Sequence, residues 1–184
     1  MKLSKLIQAL ALAAFASTAA HAAPLKTDAA KSTVSATFKQ MNVPVDAKFK
    51  KFVAQIDYDA AKPTSSKASV DIDVASFDLG DPEYNQEVLK KEWFNGAQFP
   101  KASFVSTGMT GDASKLNVTG KLTIKGKTTD VTFPITVKKD GNATVFDGNL
   151  PIKRLTYNIG EGEWKDTSTV ADEVVIKFHV VAAP

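Results

Sequence analysis

The alternation of apolar and polar residues constrains the fold of this chain more than any other feature of its sequence. Residues 115–125 read KLNVTGKLTIK, in which leucine, valine and isoleucine share one parity and the lysines and threonines share the other. Successive side chains of a β-strand point to opposite faces of the sheet. The segment therefore predicts a strand with one dry face and one wet face.

Seven further segments alternate in the same way, and two of them are weaker. The clear segments are residues 34–38, 70–74, 131–137, 146–152 and 174–180, and the weaker ones are 43–58 and 101–109. Short connections such as Met41-Asn42 and Asp140-Gly141 predict antiparallel hairpins. Because an antiparallel sheet of eight strands usually curls or closes, we predict an all-β, eight-stranded antiparallel barrel.

Two positions predict departures from a regular barrel. The segment 43–58 changes phase between Phe49 and Phe52, which indicates a bulge. Pro134 lies within a predicted strand and has no backbone N–H to donate, so it predicts an edge, a bulge or an imperfect seam.

Residues 81–96, DPEYNQEVLKKEWFNG, interrupt the alternation. Asp81 is a favourable N-cap, Pro82 suits the first helical position, and Gly96 suits the end of a helix. An apolar stripe at helical spacing consists of Tyr84, Val88, Leu89 and Trp93. We predict one short helix over residues 82–95 that covers an end or a flank of the barrel, with core packing and ligand contact both open as its role.

The first 22 residues have the three parts of a secretory signal peptide. Two lysines precede the apolar run 6–16, and Ala20-His21-Ala22 supplies small residues at the positions that a signal peptidase reads. The apolar run is too short to span a bilayer. We expect cleavage after Ala22, export of the chain, and a single domain over residues 23–184.

The residue inventory excludes several kinds of chemistry. The chain has no cysteine, its one arginine is Arg154, and His179 is the one histidine beyond the predicted signal peptide. A cysteine nucleophile and a Cys-rich or His-rich metal site are therefore excluded. Two of the 23 basic residues leave with the signal peptide, so the remainder nearly balances the 20 acidic residues, and no nucleic-acid partner is indicated. We predict a protein that is not an enzyme and has no cofactor, although composition leaves carboxylate chemistry open.

The composition of the two strand faces indicates which face lies inside. An outer-membrane barrel is apolar outside and polar inside. Here the polar parity is rich in lysine, which favours a soluble barrel with a dry interior. Gly120 and Gly148 fall on the inward parity, where glycine leaves space or marks a bend. With the inward phenylalanines they allow a cavity, and a long apolar ligand is a natural occupant of a dry cavity.

Arg154 ends a predicted strand on the inward parity and precedes the loop 157–166, which contains Trp164. An inward arginine needs a carboxylate, backbone carbonyls or a polar ligand group. Two interpretations stay open: Arg154 ties down the loop, or it binds the polar end of a ligand at the cavity mouth. His179 has the outward parity, which is typical of a surface residue.

Five motifs occur in an order that resembles the YceI-like family. They are Phe49-Lys-Lys-Phe52, the acidic helix ending in Trp93-Phe94, Phe99-Pro-x-Ala-x-Phe104, Gly120-Lys-Leu-Thr-Ile-Lys-Gly126 and Arg154-x-x-Tyr-x-Ile-Gly-x-Gly-x-Trp164. The resemblance implies a periplasmic protein with a lipocalin-like barrel and a helix beside its pore. It implies a polyisoprenoid or isoprenoid quinone as the ligand. A homodimer and a membrane b-type cytochrome partner stay open.

The helix departs from the family pattern. Many members carry Arg-Asp-x-His-Leu there, whereas this chain reads PEYNQEVL over residues 82–89, and Lys48 stands where many members have glycine. We therefore expect any polar ligand contact from Arg154 and the segment 161–164 rather than from the helix.

The leading hypothesis is that inward side chains enclose an apolar lipid, with Trp93 and Phe94 as a lid and Arg154 and Trp164 at the mouth. The candidate ligand-binding residues are Phe38, Phe49, Phe52, Ile72, Trp93, Phe94, Phe104, Leu122, Ile124, Phe133, Phe146, Leu150, Arg154, Trp164, Ile176 and Phe178. Two alternatives are a stress-linked protein with a filled barrel whose surface binds partners, and a carboxylate-based hydrolase.

Overall fold

The computed structural model describes residues 24–184, so the predicted signal peptide lies outside the described residues. Within this range the backbone forms one α-helix, α1 (Pro82–Glu87), and eleven strand segments. The segments are β1 (Leu25–Thr27), β2 (Thr33–Gln40), β3 (Val43–Phe49), β4 (Phe52–Asp57), β5 (Lys67–Asp73), β6 (Phe77–Asp78), β7 (Lys101–Gly111), β8 (Lys115–Ile124), β9 (Lys127–Asp140), β10 (Ala143–Lys153) and β11 (Val170–Ala183).

The eleven segments make eight strands, because β1 and β2, β3 and β4, and β5 and β6 are pieces of single interrupted strands. The hydrogen-bonded ring runs β1-β4-β5-β7-β8-β9-β10-β11, and β11 pairs back with β1. β2, β3 and β6 extend this ring from β11. All pairings are antiparallel. The predicted eight-stranded antiparallel barrel is confirmed.

The predicted change of phase at the Phe49–Phe52 step is confirmed, but it takes the form of a break between β3 and β4 and not of a bulge within one ladder. The ladder between β1 and β4 ends at the pair Lys26 and Gln55. The ladder between β2 and β3 begins at the pair Val34 and Phe49, and the residues between these two pairs do not pair across the wall. The wall therefore has a side opening, a cleft of about 490 Å³. Its lining includes apolar residues of the wall and four lysines, Lys48, Lys50, Lys51 and Lys101.

The predicted imperfect seam lies beside Pro134. β9 pairs with β8 from Lys127 to Thr136, but it pairs with β10 only from Ile135 to Asp140. The second ladder thus ends next to the proline, which has no N–H to continue it. A 3-10 turn, Arg154–Tyr157, follows β10 at this end of the barrel, and the Tyr157 hydroxyl hydrogen-bonds to Thr129 of β9.

The apolar residues of each strand, which share one parity, face the barrel interior, as the alternation predicts. On β8 the inward side chains are almost completely buried, and they are Leu116, Val118, Leu122 and Ile124. They belong to a core cluster that also includes Phe133, Ile135, Phe146 and Leu150. Burial stabilises the fold by about 25 cal/mol per Å² of apolar surface. In a chain without disulfides this burial is the main stabilising contribution.

The start of the helix agrees with the prediction. The Asp81 carboxylate accepts hydrogen bonds from the amides of Glu83 and Tyr84, at 2.7 and 3.3 Å, and Pro82 occupies the first turn. Both features satisfy or remove N–H groups that a helix start leaves without partners.

The predicted extent of the helix, residues 82–95, is wrong. α1 ends at Glu87, and residues 88–99 form turns in which the amides of Phe94 and Gly96 donate to the carbonyls of Val88 and Leu89. Asn95 takes a left-handed φ of 51°, which ends the turn. These turns let the apolar residues after α1 reach the interior, while Tyr84 is 62% exposed.

We predict that Gly148→Ala destabilises the barrel. A Cβ atom at this position would lie 2.2 Å from the Phe178 ring. Overpacking of this kind costs about 1–3 kcal/mol. The measurement is the free energy of unfolding in urea. Gly108→Ala is the matched control in β7, because a Cβ atom there meets nothing within 4 Å. Equal stability of the two variants would contradict the tight contact.

Candidate functional site

The barrel interior contains two cavities. The upper cavity, of about 150 Å³, lies inside the ring of strands. The lower cavity, of about 320 Å³, lies between the ends of β2 and β3, α1 and the loop that carries Trp164. Four side chains line both cavities and form a partition, which consists of Phe49, Phe94, Ile124 and Ile176.

The structure brings most of the predicted ligand-binding residues to these cavities. Besides the partition, the upper cavity is lined by Ile72, Phe104, Leu122, Phe133, Phe146, Leu150 and Phe178. The lower cavity is lined by Phe38, Trp93, Arg154 and Trp164. Phe52 lies instead in the side opening, where β4 begins.

A row of aromatic rings crosses the upper cavity. The ring centroids of Phe104 and Phe133 are 5.4 Å apart, and those of Phe133 and Phe178 are 5.7 Å apart. Gly120 lies against the Phe104 ring and Gly148 against the Phe178 ring. The space left by the inward glycines is therefore taken by aromatic rings.

Three aromatic residues that line the cavities are missing from the predicted ligand-binding residues: Tyr58, Phe77 and the exposed Tyr84 at the rim of the lower cavity. Tyr58 lies at the upper end, where its hydroxyl donates to the carbonyl of Ala113 at 2.8 Å and its ring packs on Phe146. Its parity continues that of Ala54 and Ile56, so the alternation could have identified it. Burial, with help from Asp112 and Asp59, raises its pKa.

Phe77 is the second missing residue. The centroid of its ring lies 4.7 Å from the ring centroid of Phe49 and 5.3 Å from that of Phe94. Phe77 therefore supports the partition from the side of the lower cavity. It belongs to β6, which is only two residues long. Such a segment is too short to show an alternating pattern, so no sequence signal identifies Phe77.

Arg154 is 2% exposed, and its guanidinium uses all of its donors on backbone carbonyls. The acceptors, at 2.7–3.2 Å, are the carbonyl oxygens of Ile159, Gly160, Trp164, Val170 and Ala171. An arginine has five N–H groups, so a ligand would have to displace one of these bonds. The contacts support the interpretation that Arg154 ties down the loop. Burial lowers its pKa, and nearby Asp172 opposes that change.

A second polar contact joins the loop to the turns after α1. The Lys125 side chain is only 6% exposed, and its Nζ donates to the carbonyls of Lys91 and Asn158 and to the Glu161 carboxylate, at 2.7, 2.7 and 2.9 Å. In the same contact, the carbonyl oxygen of Glu92 accepts hydrogen bonds from the amides of Gly160 and Glu161, both at 2.8 Å. These bonds hold the lower end of the barrel together, and sequence patterns give no sign of them.

We predict that Arg154→Lys releases the loop and destabilises the protein. A lysine cannot reproduce the forked contacts, so buried carbonyls lose their partners and the expected cost is about 3 kcal/mol or more. The check is thermal or urea unfolding. Lys153→Ala, at an exposed neighbouring position with a long 3.9 Å ion pair, is the control and should change stability by less than about 0.5 kcal/mol. A loss of similar size in both variants would refute this role of Arg154.

We predict that acid loosens the same loop. The hydrogen bond from Lys125, assisted by its charge and by Lys165 and Lys127, lowers the pKa of Glu161. Because this pKa is lower in the folded than in the unfolded protein, the contact stabilises the loop fully above the ordinary carboxyl pKa of about 4.3. The stabilisation is lost as the pH falls through the lowered value.

The measurement is hydrogen exchange at the amides of Gly160 and Glu161, corrected for the intrinsic pH dependence of exchange. Glu161→Gln should give fast exchange already at neutral pH. Glu163→Gln, at an exposed position of the same loop, is the control. Exchange that stays slow in Glu161→Gln would contradict the prediction.

Other features of the described residues do not form a site. Residues 24–184 contain no cluster of three or more His, Cys, Asp or Glu side chains that could hold a metal ion. No helix in this part of the chain is long and apolar enough to cross a membrane. His179 is partly exposed and its Nδ1 lies 2.6 Å from Asp147, which agrees with its predicted place on the surface.

A closed antiparallel barrel with a dry, divided interior defines the class of lipocalin-like barrels. The comparison with known families is more specific. The family model described as the YceI-like domain matches residues 25–182, and the chain belongs to this family. The resemblance seen in the ordered motifs is thereby confirmed.

Relatives and solved structures agree with this assignment. Protein YceI of Salmonella arizonae is 30% identical over 117 residues, which cover 60% of this chain and 61% of that protein. The chain thus matches about three fifths of the length of this curated relative. The crystal structure of Burkholderia cenocepacia BcnA is 57% identical, with a TM-score of 0.84, and the match covers 86% of this chain and 100% of that one.

A polyisoprenoid binding domain from Saccharophagus degradans, implicated in plant cell wall breakdown, has the same fold. It is 17% identical, its TM-score is 0.69, and the match covers 89% of this chain and 99% of that one. At this identity the similarity is one of fold.

Proposed function

We propose that this protein binds a long isoprenoid-type lipid or isoprenoid quinone inside its barrel and does not catalyse a reaction. The observation that carries the proposal is the pair of cavities, which share an apolar partition. An apolar cavity of about 150 Å³ stays dry and takes up apolar ligands. The Saccharophagus degradans domain, which has this fold and is called polyisoprenoid binding, supports the same class of ligand.

The mechanism of binding would be desolvation. A prenyl chain in the upper cavity contacts rings and aliphatic side chains, and each Å² of its buried surface contributes about 25 cal/mol. A chain long enough to occupy both cavities must move the partition aside. Rotation of Phe49 and Phe94 would open it, and rotamer changes of this kind are ordinary side-chain motions.

The ligand would enter at the lower end. Tyr58 closes the upper end through its bond to Ala113, whereas the lower cavity has the exposed Tyr84 at its rim. The tail would then lie in the upper cavity and the polar end in the lower one. We also propose export to the periplasm, on the basis of residues 1–22 and the family. A homodimer and a b-type cytochrome partner stay predictions.

The cavities bear on the two alternative functions. A filled barrel that binds partners only through its surface does not need interior space of this size. A carboxylate-based hydrolase needs two acids near the reacting bond. The lining of the lower cavity has Glu87 as its single carboxylate, and that of the upper cavity has none. The geometry therefore favours binding over hydrolysis.

The first test is native mass spectrometry of the protein purified without detergent from the exported fraction, followed by lipid extraction. A stoichiometric adduct that releases a prenyl-containing molecule is the expected result. A mass without adduct, unchanged after incubation with polyprenols and quinones, would refute the proposal.

We predict that Leu122→Trp abolishes binding, because the indole would fill the upper cavity that Leu122 lines. The measurement is the Kd for a quinone with a C20 prenyl tail, and a loss of at least tenfold is expected. Lys121→Trp adds the same indole to the exposed face of the same strand and should bind normally. Circular dichroism checks that both variants fold. Unchanged binding by a folded Leu122→Trp variant would place the ligand elsewhere.

A further inference from the structure

Trp93 carries a buried hydrogen-bond donor without a partner. Its indole lines the lower cavity, and its Nε1 atom has no acceptor within reach among residues 24–184. Buried polar groups in native proteins nearly always have partners, and an unpaired one destabilises the fold. Packing alone does not need the N–H group, since a phenylalanine would fill much of the same space.

The neighbours of Trp93 hold the ring in place but do not satisfy its nitrogen. The Trp164 ring packs against it at a centroid distance of 5.2 Å, and the Arg154 guanidinium carbon lies 5.9 Å from its centroid. Both are contacts with the face or body of the ring. The indole orientation is therefore set by packing, and the N–H is left without an acceptor.

The other polar groups near the lower cavity are already bonded or lie at its exposed rim. All Arg154 donors are used by backbone carbonyls, and the Glu87 carboxylate is paired with Lys90. The Lys125 ammonium above the loop has its three acceptors. Gln40 and Tyr84 are exposed. Among the side chains of residues 24–184 that line this cavity, Trp93 Nε1 is thus the buried donor that is left unused.

We infer that Trp93 is the residue that selects the polar end of the ligand, by donating its Nε1–H to a single uncharged oxygen such as a quinone carbonyl. This inference rests on the proposed function and specifies its ligand. The indole is a neutral donor with one N–H. A phosphate or diphosphate instead requires several charge-assisted bonds, which Arg154 and Lys125 do not have free.

For an acceptor to reach this donor, the turn that carries Trp93 and Phe94 would have to move, in addition to the rotation of Phe94 that opens the partition. The Nε1 atom is covered in the present arrangement. Phe94, the next residue along the chain, belongs to the partition between the cavities. We expect a prenyl chain that displaces Phe94 to shift this turn as well, which would uncover the indole nitrogen. Passage of the tail and recognition of the polar end are coupled in this way.

The test compares Trp93→Phe with the unchanged protein, using probes that share a C20 isoprenoid skeleton but differ at the end. The probes are menaquinone-4, which ends in a quinone, phytane, which is a hydrocarbon, and geranylgeranyl diphosphate. Trp93→Phe should bind menaquinone-4 about three- to tenfold more weakly, the effect of one neutral hydrogen bond. Its Kd for phytane should change by less than about twofold. Trp164→Phe is the control, and it should change the Kd for menaquinone-4 and the Kd for phytane by the same factor.

The outcomes distinguish this inference from the proposed function. If the unchanged protein binds none of the probes, the proposed function fails and the inference fails with it. If it binds them, but Trp93→Phe weakens the binding of phytane and of menaquinone-4 equally, or weakens the binding of neither, only the inference is overturned. Tighter binding of the diphosphate than of the quinone would also overturn the selection of an uncharged oxygen.

A second measurement reads the hydrogen bond directly. The chain has two tryptophans, so its ¹H–¹⁵N spectrum has two indole signals, and Trp93→Phe identifies one of them. Menaquinone-4 should move the Trp93 indole proton downfield and slow its exchange, and phytane should do neither. An identical response to both probes would show that the nitrogen senses packing and not an acceptor.

Discussion

Closure of the sheet on itself is the constraint on which the rest of this structure depends. The fourteen-residue strand β11 pairs with β10 along one side and with β2 and β1 along the other. The short ladder between β1 and β11, which includes the pair Thr27 and Ala182, closes the ring, and Ala182 is fully buried. Without this closure the alternating strands would have no enclosed side, and the apolar parity of every strand would face water.

Different contacts occur at the two ends of the barrel. At the upper end the Tyr58 hydroxyl donates to the carbonyl of Ala113, and Tyr58 lies between the upper cavity and an outer cleft. At the lower end a network of charged side chains and backbone carbonyls fixes the loop and the turns after α1. Arg154 and Lys125 each direct several donors to carbonyl oxygens, so buried charge is stabilised by main chain more than by opposite charge. The lining between the two ends is mostly apolar.

The sequence predicted the fold well because the fold depends on a period of two. Alternation gave the eight strands and their inward faces, and Pro134 and the Phe49–Phe52 step marked the irregularities correctly. The helix was predicted too long, since helical spacing of Leu89 and Trp93 cannot distinguish a helix from successive turns that bury the same side chains. The polar ties of Lys125 and Arg154 join residues far apart in the chain, and local patterns do not encode such contacts.

The side opening in the wall leaves a short stretch of strand edge without a neighbour. Unpaired edges invite a strand from another molecule, and long flat apolar edges are sites of aggregation. Here the edge is interrupted at Lys50 and Lys51, and Lys48 and Lys101 also border the cleft. Charged side chains disfavour the addition of a foreign strand. The lysines of the opening thus protect an incompletely paired barrel from joining edge to edge with its own copies.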